Sequence, residues 1–120
     1  MGEFMDEMNE IKQRLREFAA ARDWDQFHSP KNLSMALSVE VSELVECFQW
    51  LTEEQSSSLN GSQMAAVTDE IADIQLYLIR LADKLGVDIG DAVKKKIEKN
   101  EAKYPADKVR GSSKKYNEYD

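Results

Sequence analysis

Two pairs of acidic residues, Glu40 with Glu43 and Glu70 with Asp73, are each spaced three positions apart. At about 100° per residue, the first acid of each pair lies about 60° from the centre of an apolar helical stripe, and the second about 120° on the same side. Four such carboxylates on facing helices would repel one another unless cations lay between them. Carboxylate oxygens suit hard ions, Mg²⁺ above all, with Mn²⁺ or Ca²⁺ as alternatives. The spacing therefore predicts a metal site formed by these four acids.

The opposing interpretation is that acids at this spacing are ordinary surface residues. That is the commoner case for one pair, but two pairs with matched placement favour ligation. A di-iron carboxylate bundle is excluded, because it needs Glu-x-x-His pairs and neither pair contains histidine.

Aromatic and cationic residues offer partners for a ligand near these acids. Trp50 and Tyr77 fall on the acid-bearing sides of their helices, where they either stack on a base or pack in a core or dimer interface. Lys96, Asn100 and Lys103 share a helix face that suits phosphate oxygens, although most lysines are simply solvated. Arg110, Lys114 and Lys115 either close over an anion or remain in solvent.

Four helices would position these residues, and no strand pattern occurs. We expect them at about 5–22, 30–52, 63–85 and 89–103. Ser29 and Pro30 form a start signal for the second, Gly86 an end signal for the third, and Pro105 a stop for the fourth. The polar stretch EEQSSSLNGS reads as a loop. The fold class is therefore all-α, most simply a four-helix bundle.

Length and charge narrow the class further. The 120 residues suit one domain spanning 1–120, with 1–4 a cloning remnant and about 106–120 a flexible basic tail. The net charge of −7 argues against nucleic acid polymers as partners, and no apolar run is long enough for a membrane span. The single cysteine, Cys47, fits a reducing cytoplasm. Helix two is apolar over about two-thirds of its circumference, which favours a homodimer or homotetramer.

The sequence resembles the all-α nucleoside triphosphate pyrophosphohydrolases of the MazG type, in particular their dCTP pyrophosphatase branch. The likeness lies in RDWDQFHSPKNLSMALSVEVSELVECFQW, DEIADIQLYL, KIEKNEAKYP and RGSSKKY. It implies a MazG-like bundle in which Mg²⁺ is held by the four acids, which act in catalysis. It also implies hydrolysis of a nucleoside triphosphate to the monophosphate and pyrophosphate, as a cytoplasmic housekeeping activity.

The resemblance extends to the substrate-binding residues. It places Trp50, Tyr77, Trp24 and His28 around the nucleobase, although a plain loop role for His28 is equally open. It assigns the phosphate side to Lys96, Asn100 and Lys103, and Tyr104 and Arg110 are further candidates for substrate binding.

Two rival functions remain open at this point. One is a non-catalytic acidic helical module that dimerises through apolar surface and has no divalent dependence. The other is the same reaction on a different nucleotide, such as dUTP or a modified base.

Overall fold

The computed structural model describes residues 2–112, apart from the side chains of residues 4 and 5, and these residues are helical or connect helices. The helices are α1 (Gly2–Ala21), α2 (Pro30–Phe48), α3 (Glu53–Ser56), α4 (Gly61–Leu85), α5 (Ile89–Lys103) and α6 (Ala106–Val109). A 3-10 turn, Asp25–Phe27, lies between α1 and α2. No strand occurs in residues 2–112, which confirms the all-α prediction.

Helix α2 begins at the predicted signal. The Ser29 hydroxyl accepts a hydrogen bond from the Asn32 backbone N–H at 3.1 Å, and Pro30 occupies the first turn. The Asn32 side chain also donates to the Phe27 carbonyl at 3.0 Å, which ties the preceding loop to the helix. The start of α2 is thus fixed by local hydrogen bonds.

The expected end of α2 near residue 52 was wrong, because α2 ends at Phe48. A turn follows, and Thr52 then caps α3 through a reciprocal capping box with Gln55. A second capping box, between Asn60 and Gln63, starts α4 at Gly61. The stretch expected to be a loop therefore contains one turn of helix, because two separate capping boxes satisfy its backbone N–H groups.

Helix α4 ends at Gly86 as predicted. Gly86 adopts a left-handed conformation with φ of 69°, which residues with a side chain rarely adopt. Its N–H and that of Val87 donate to carbonyls of the last turn, so the otherwise unpaired helix end is satisfied.

The chain contains two compact units, Met1–Val87 and Asp88–Asp120. In the first unit α2 packs mainly against α4, and α1 contacts α4 and the 3-10 turn. The buried apolar side chains of this unit come from α1, α2 and α4; they are Ala19, Leu33, Val67, Ile79 and Ala82. The packing of α2 against α4 sets the two acid pairs on neighbouring helices.

The second unit begins with α5, where the Asp88 carboxylate accepts a hydrogen bond from the Asp91 backbone N–H at 2.9 Å. The tail that we expect to be flexible from about 106 begins with one helical turn, α6. Lys114 and Lys115 lie outside the described residues.

Many large apolar side chains remain exposed within the described chain. On α2 they include Met35, Val39, Val41 and Val45, each between 42% and 57% exposed. Among the described helices, none combines the length and apolar character that a bilayer span requires. Most of the exposed large apolar residues lie on α-helices, where another protein surface could cover them.

Candidate functional site

An acidic cluster forms where α2 packs against α4. Glu40 and Glu43 of α2 and Glu70 of α4 each place one carboxylate oxygen within 4.8 Å of the other two. Glu40 and Glu70 are half-buried, and Oε2 of each is inaccessible to solvent without a hydrogen-bond partner among the described residues. Buried carboxylate oxygens are normally hydrogen-bonded or bound to a metal. Two such oxygens facing a third carboxylate fit the donor set of a cation site.

The spacing of the three oxygens fits a divalent ion. Ligand oxygens bind Mg²⁺ at about 2.1 Å, so two of them on one ion lie at most about 4.2 Å apart. Small side-chain rotations would bring oxygens within 4.8 Å of one another to that separation. Ca²⁺, with longer bonds of about 2.3–2.6 Å, also fits the donor set.

Electrostatics in the cluster favour the same conclusion. Burial, followed by the charge of Glu43, raises the pKa of Glu40 to about 7. Burial and then Glu43 likewise raise the pKa of Glu70. These pKa shifts arise because burial and the neighbouring negative charges both disfavour the ionised carboxylates. A bound divalent cation would supply the opposite charge.

Asp73, the fourth predicted ligand, lies beside this cluster but outside the group of three oxygens. It is exposed, one turn after Glu70 on α4, and its charge contributes to the raised pKa of both Glu40 and Glu70. Asp73 also lines the neighbouring cavity. The structure thus brings three of the predicted acids together, and the fourth lines the cavity.

The cavity has a volume of about 300 Å³ and is partly open. It is lined by three of the predicted substrate residues, Trp24, His28 and Tyr77. Phe18 adds a fourth ring and meets Trp24 edge to face, with ring centres 5.7 Å apart. A cavity lined by aromatic and leucine side chains, with an acid at one side, suits a flat ring joined to a polar or anionic group.

Phe18 and Arg80 are cavity residues that the sequence reasoning missed. Phe18 is 46% exposed and its side chain lines the cavity. The Arg80 side chain is only 8% exposed and lines the same cavity. Its position in the apolar run LIRLA could have identified it, since an arginine in a buried apolar run needs a partner for its charge.

The remaining predicted substrate residues do not line this cavity. Trp50 lies in the turn after α2 and is 86% exposed. The others belong to the second unit, where Tyr104 is half-buried and the rest are exposed; they are Lys96, Asn100, Lys103, Tyr104 and Arg110.

Comparisons with known proteins bear on the family. Human dCTP pyrophosphatase 1 is 43% identical over 113 residues, which cover 92% of this chain and 66% of the human protein. The protein of the same name from Bos taurus is 43% identical over 111 residues, 91% of this chain and 66% of its own length. The chain thus spans just under two-thirds of the length of these curated relatives.

A solved structure and a family model agree with these relatives. The crystal structure of a pyrophosphatase from Archaeoglobus fulgidus superposes with a TM-score of 0.78 at 42% identity, covering 82% of this chain and 93% of that one. The model of the MazG-like family matches residues 35–119, which include both acid pairs. The chain therefore belongs to the MazG-like family.

Proposed function

We propose that this chain is a Mg²⁺-dependent nucleoside triphosphate pyrophosphohydrolase that converts dCTP or a related deoxynucleotide to the monophosphate and pyrophosphate. The observation that carries the proposal is the cluster of Glu40, Glu43 and Glu70, whose carboxylate oxygens lie within 4.8 Å of one another. The names of the relatives, dCTP pyrophosphatase 1, support the reaction and the base.

In this proposal Glu40, Glu43 and Glu70 hold Mg²⁺, with Mn²⁺ as an alternative ion. Bound Mg²⁺ neutralises phosphate charge and lowers the pKa of a bound water. Asp73 borders both the cluster and the cavity, so it lies where the polar end of a bound molecule would approach the acids. A carboxylate of the site accepts the proton of the attacking water.

The aromatic cavity supplies the proposed base site. Trp24 and Tyr77 offer ring faces, and stacking on an aromatic ring contributes about 1–3 kcal/mol per base. A volume of about 300 Å³ is at the small end of ligand sites. This size supports entry of the base while the phosphates remain outside. Trp50 and the phosphate-side residues of the second unit belong to the proposal through their similarity to the family.

The exposed apolar residues of α2 support assembly into a homodimer or homotetramer. Val39, Val41 and Val45 are each at least 42% exposed, and covering such side chains stabilises association. Light scattering coupled to size-exclusion chromatography would give the mass directly. The same exposed residues also favour the alternative function, a non-catalytic helical module whose only role is to dimerise.

The test is pyrophosphate release from a panel of dNTPs and NTPs with Mg²⁺, with and without EDTA. Glu43→Ala should abolish release, while Glu46→Ala, an exposed acid on the same helix, should retain it. Release that depends on Mg²⁺ and is greatest with dCTP would support reaction, metal and base together. If the well-folded wild type releases nothing from any nucleotide, the proposal fails and the association module replaces it. We place the activity in the cytoplasm, in keeping with one unpaired cysteine, Cys47.

A further inference from the structure

A buried arginine organises one wall of the cavity. The Arg80 side chain is 8% exposed, and its Nη2 donates to the Asp25 carboxylate at 2.5 Å. Its Nη1 lies 3.8 Å from the Asp83 carboxylate. Its Nε donates to Nδ1 of His28 at 3.3 Å. All three nitrogens of the guanidinium therefore have assigned partners within the first unit.

The last of these contacts determines where the His28 proton lies. A guanidinium has only donors and remains charged at any pH a protein survives. Nδ1 of His28 must therefore be the acceptor, and a neutral imidazole in that state carries its single hydrogen on Nε2. Burial and the positive charges of Arg80 and Lys84 lower the pKa of His28, with Asp25 opposing them, so the neutral ring is favoured.

The surroundings also fix the orientation of both side chains. Asp25 accepts from Arg80 and, on the same oxygen, from Lys84 at 2.6 Å. The His28 backbone N–H donates to the Asp25 carbonyl at 3.0 Å, so the 3-10 turn and the imidazole are held to α4 as one unit. Since His28 lines the cavity, the one polar hydrogen its ring can offer a ligand there is Nε2–H.

We propose that Arg80 is a positioning residue that holds His28 as a neutral Nε2–H donor, through which the cavity reads a hydrogen-bond acceptor on the edge of the nucleobase. The proposal rests on the proposed function for the identity of the ligand. A pyrimidine offers such acceptors at its ring carbonyl and, in cytosine, at N3. The acceptor that separates these bases is N3: in uracil and thymine it carries a hydrogen, so a donor directed at N3 rather than at the ring carbonyl is unmatched there, and an unmatched buried donor costs binding.

The first test reads the imidazole itself. His28 is the only histidine in the sequence, so a long-range ¹H–¹⁵N correlation spectrum of labelled protein contains one imidazole pattern. We expect the pattern of the neutral Nε2–H tautomer at pH 7.5. An Nδ1–H tautomer, or a protonated ring, would overturn the proposal. Because this readout needs no turnover, it distinguishes failure of the inference from failure of the proposed hydrolysis.

Variants then separate positioning from structural support. Arg80→Met should convert the spectrum to a mixture of tautomers, whereas Arg80→Lys keeps a cationic donor and should restore the Nε2–H pattern. Arg16→Met is the matched control, because Arg16 pairs with Asp83 and does not contact His28. If Arg80→Met fails to fold, the wild type and Arg80→Lys still decide. A pure Nε2–H pattern in folded Arg80→Met would show that Arg80 does not position the ring.

Kinetics supply the second test. Loss of one hydrogen bond should raise KM for dCTP about 2- to 13-fold in Arg80→Met with little change in kcat, since the bond contributes about 0.5–1.5 kcal/mol to binding. The preference for dCTP over dUTP should fall by a similar factor, and Arg16→Met should keep it. An unchanged preference in folded Arg80→Met would overturn the assignment of base reading to His28.

Discussion

Leu33 is both a core residue and a wall of the cavity, which makes the cost of its removal a sharp test of the packing. It is 2% exposed and is the largest side chain among the described residues with almost no solvent contact. The perturbation is Leu33→Ala, with Ile79→Ala as its matched control. Ile79 is 4% exposed, loses the same number of carbon atoms and does not line the cavity.

The expected costs follow from what each truncation leaves behind. Three lost carbons contribute about 2.4 kcal/mol of transfer free energy in either variant, at about 0.8 kcal/mol each. A new enclosed void adds a further cost, so that the total loss in the free energy of unfolding for a Leu→Ala or Ile→Ala change reaches as much as about 5 kcal/mol. The space left at Leu33 joins an existing open cavity that water can enter, so its cost should stay near 2.5 kcal/mol. Ile79→Ala should cost about 4 kcal/mol.

Urea unfolding of both variants at one protein concentration would measure the difference. We also expect midpoint temperatures lower by about 10 °C for Leu33→Ala and about 16 °C for Ile79→Ala, at about 4 °C per kcal/mol for a domain of this size. Equal costs, or a larger cost at Leu33, would refute the conclusion that the cavity borders Leu33 in solution.

Three further predictions concern charge and exposure. Glu40→Gln should raise the midpoint temperature of the EDTA-treated protein at pH 8 but not at pH 4.5. Because the pKa of Glu40 is raised to about 7, ionising its carboxyl destabilises the folded protein as the pH rises through that range, and glutamine does not ionise. The variant should also lose the stabilisation that we expect 10 mM MgCl₂ to give the wild type. Arg16 lowers the pKa of Asp83, so this pair stabilises the fold above the ordinary carboxyl pKa and is lost on acidification; Arg16→Met should flatten the acid limb of a stability–pH curve. Trp50→Ala should leave the free energy of unfolding within about 0.5 kcal/mol of wild type in urea, since Trp50 is 86% exposed.

Local hydrogen bonding explains which parts of the fold were predictable. Ser29 with Pro30 and the left-handed Gly86 act within a few residues, so sequence spacing is sufficient to locate them. The capping boxes at Thr52 and Asn60 are equally local. Their Thr-x-x-Gln and Asn-x-x-Gln patterns are present in the sequence but were not recognised as helix start signals. For that reason the predicted end of α2, residue 52, lies four residues beyond its end in the structure, Phe48.

The site shows where sequence patterns stop being sufficient. Helical angles grouped Glu43 with Asp73, yet only Glu43 joins Glu40 and Glu70 in the described structure. The angles locate a residue on its own helix, whereas the offset between α2 and α4 and the side-chain rotamers decide which oxygens meet. Arg80 was missed for a related reason, since its partners Asp25 and His28 are more than fifty positions away along the chain.

The two capping boxes have a consequence for how the site could be divided. Each satisfies its own backbone groups, so the segment between Ser57 and Leu59 connects two self-contained helix starts. Opening the chain there would place Glu40 and Glu43 on one fragment and Glu70 and Asp73 on the other. Neither fragment alone carries the three-oxygen cluster, so divalent binding would report their reassembly. Divalent binding at the proposed metal site could thus serve as the readout of a split-protein complementation pair.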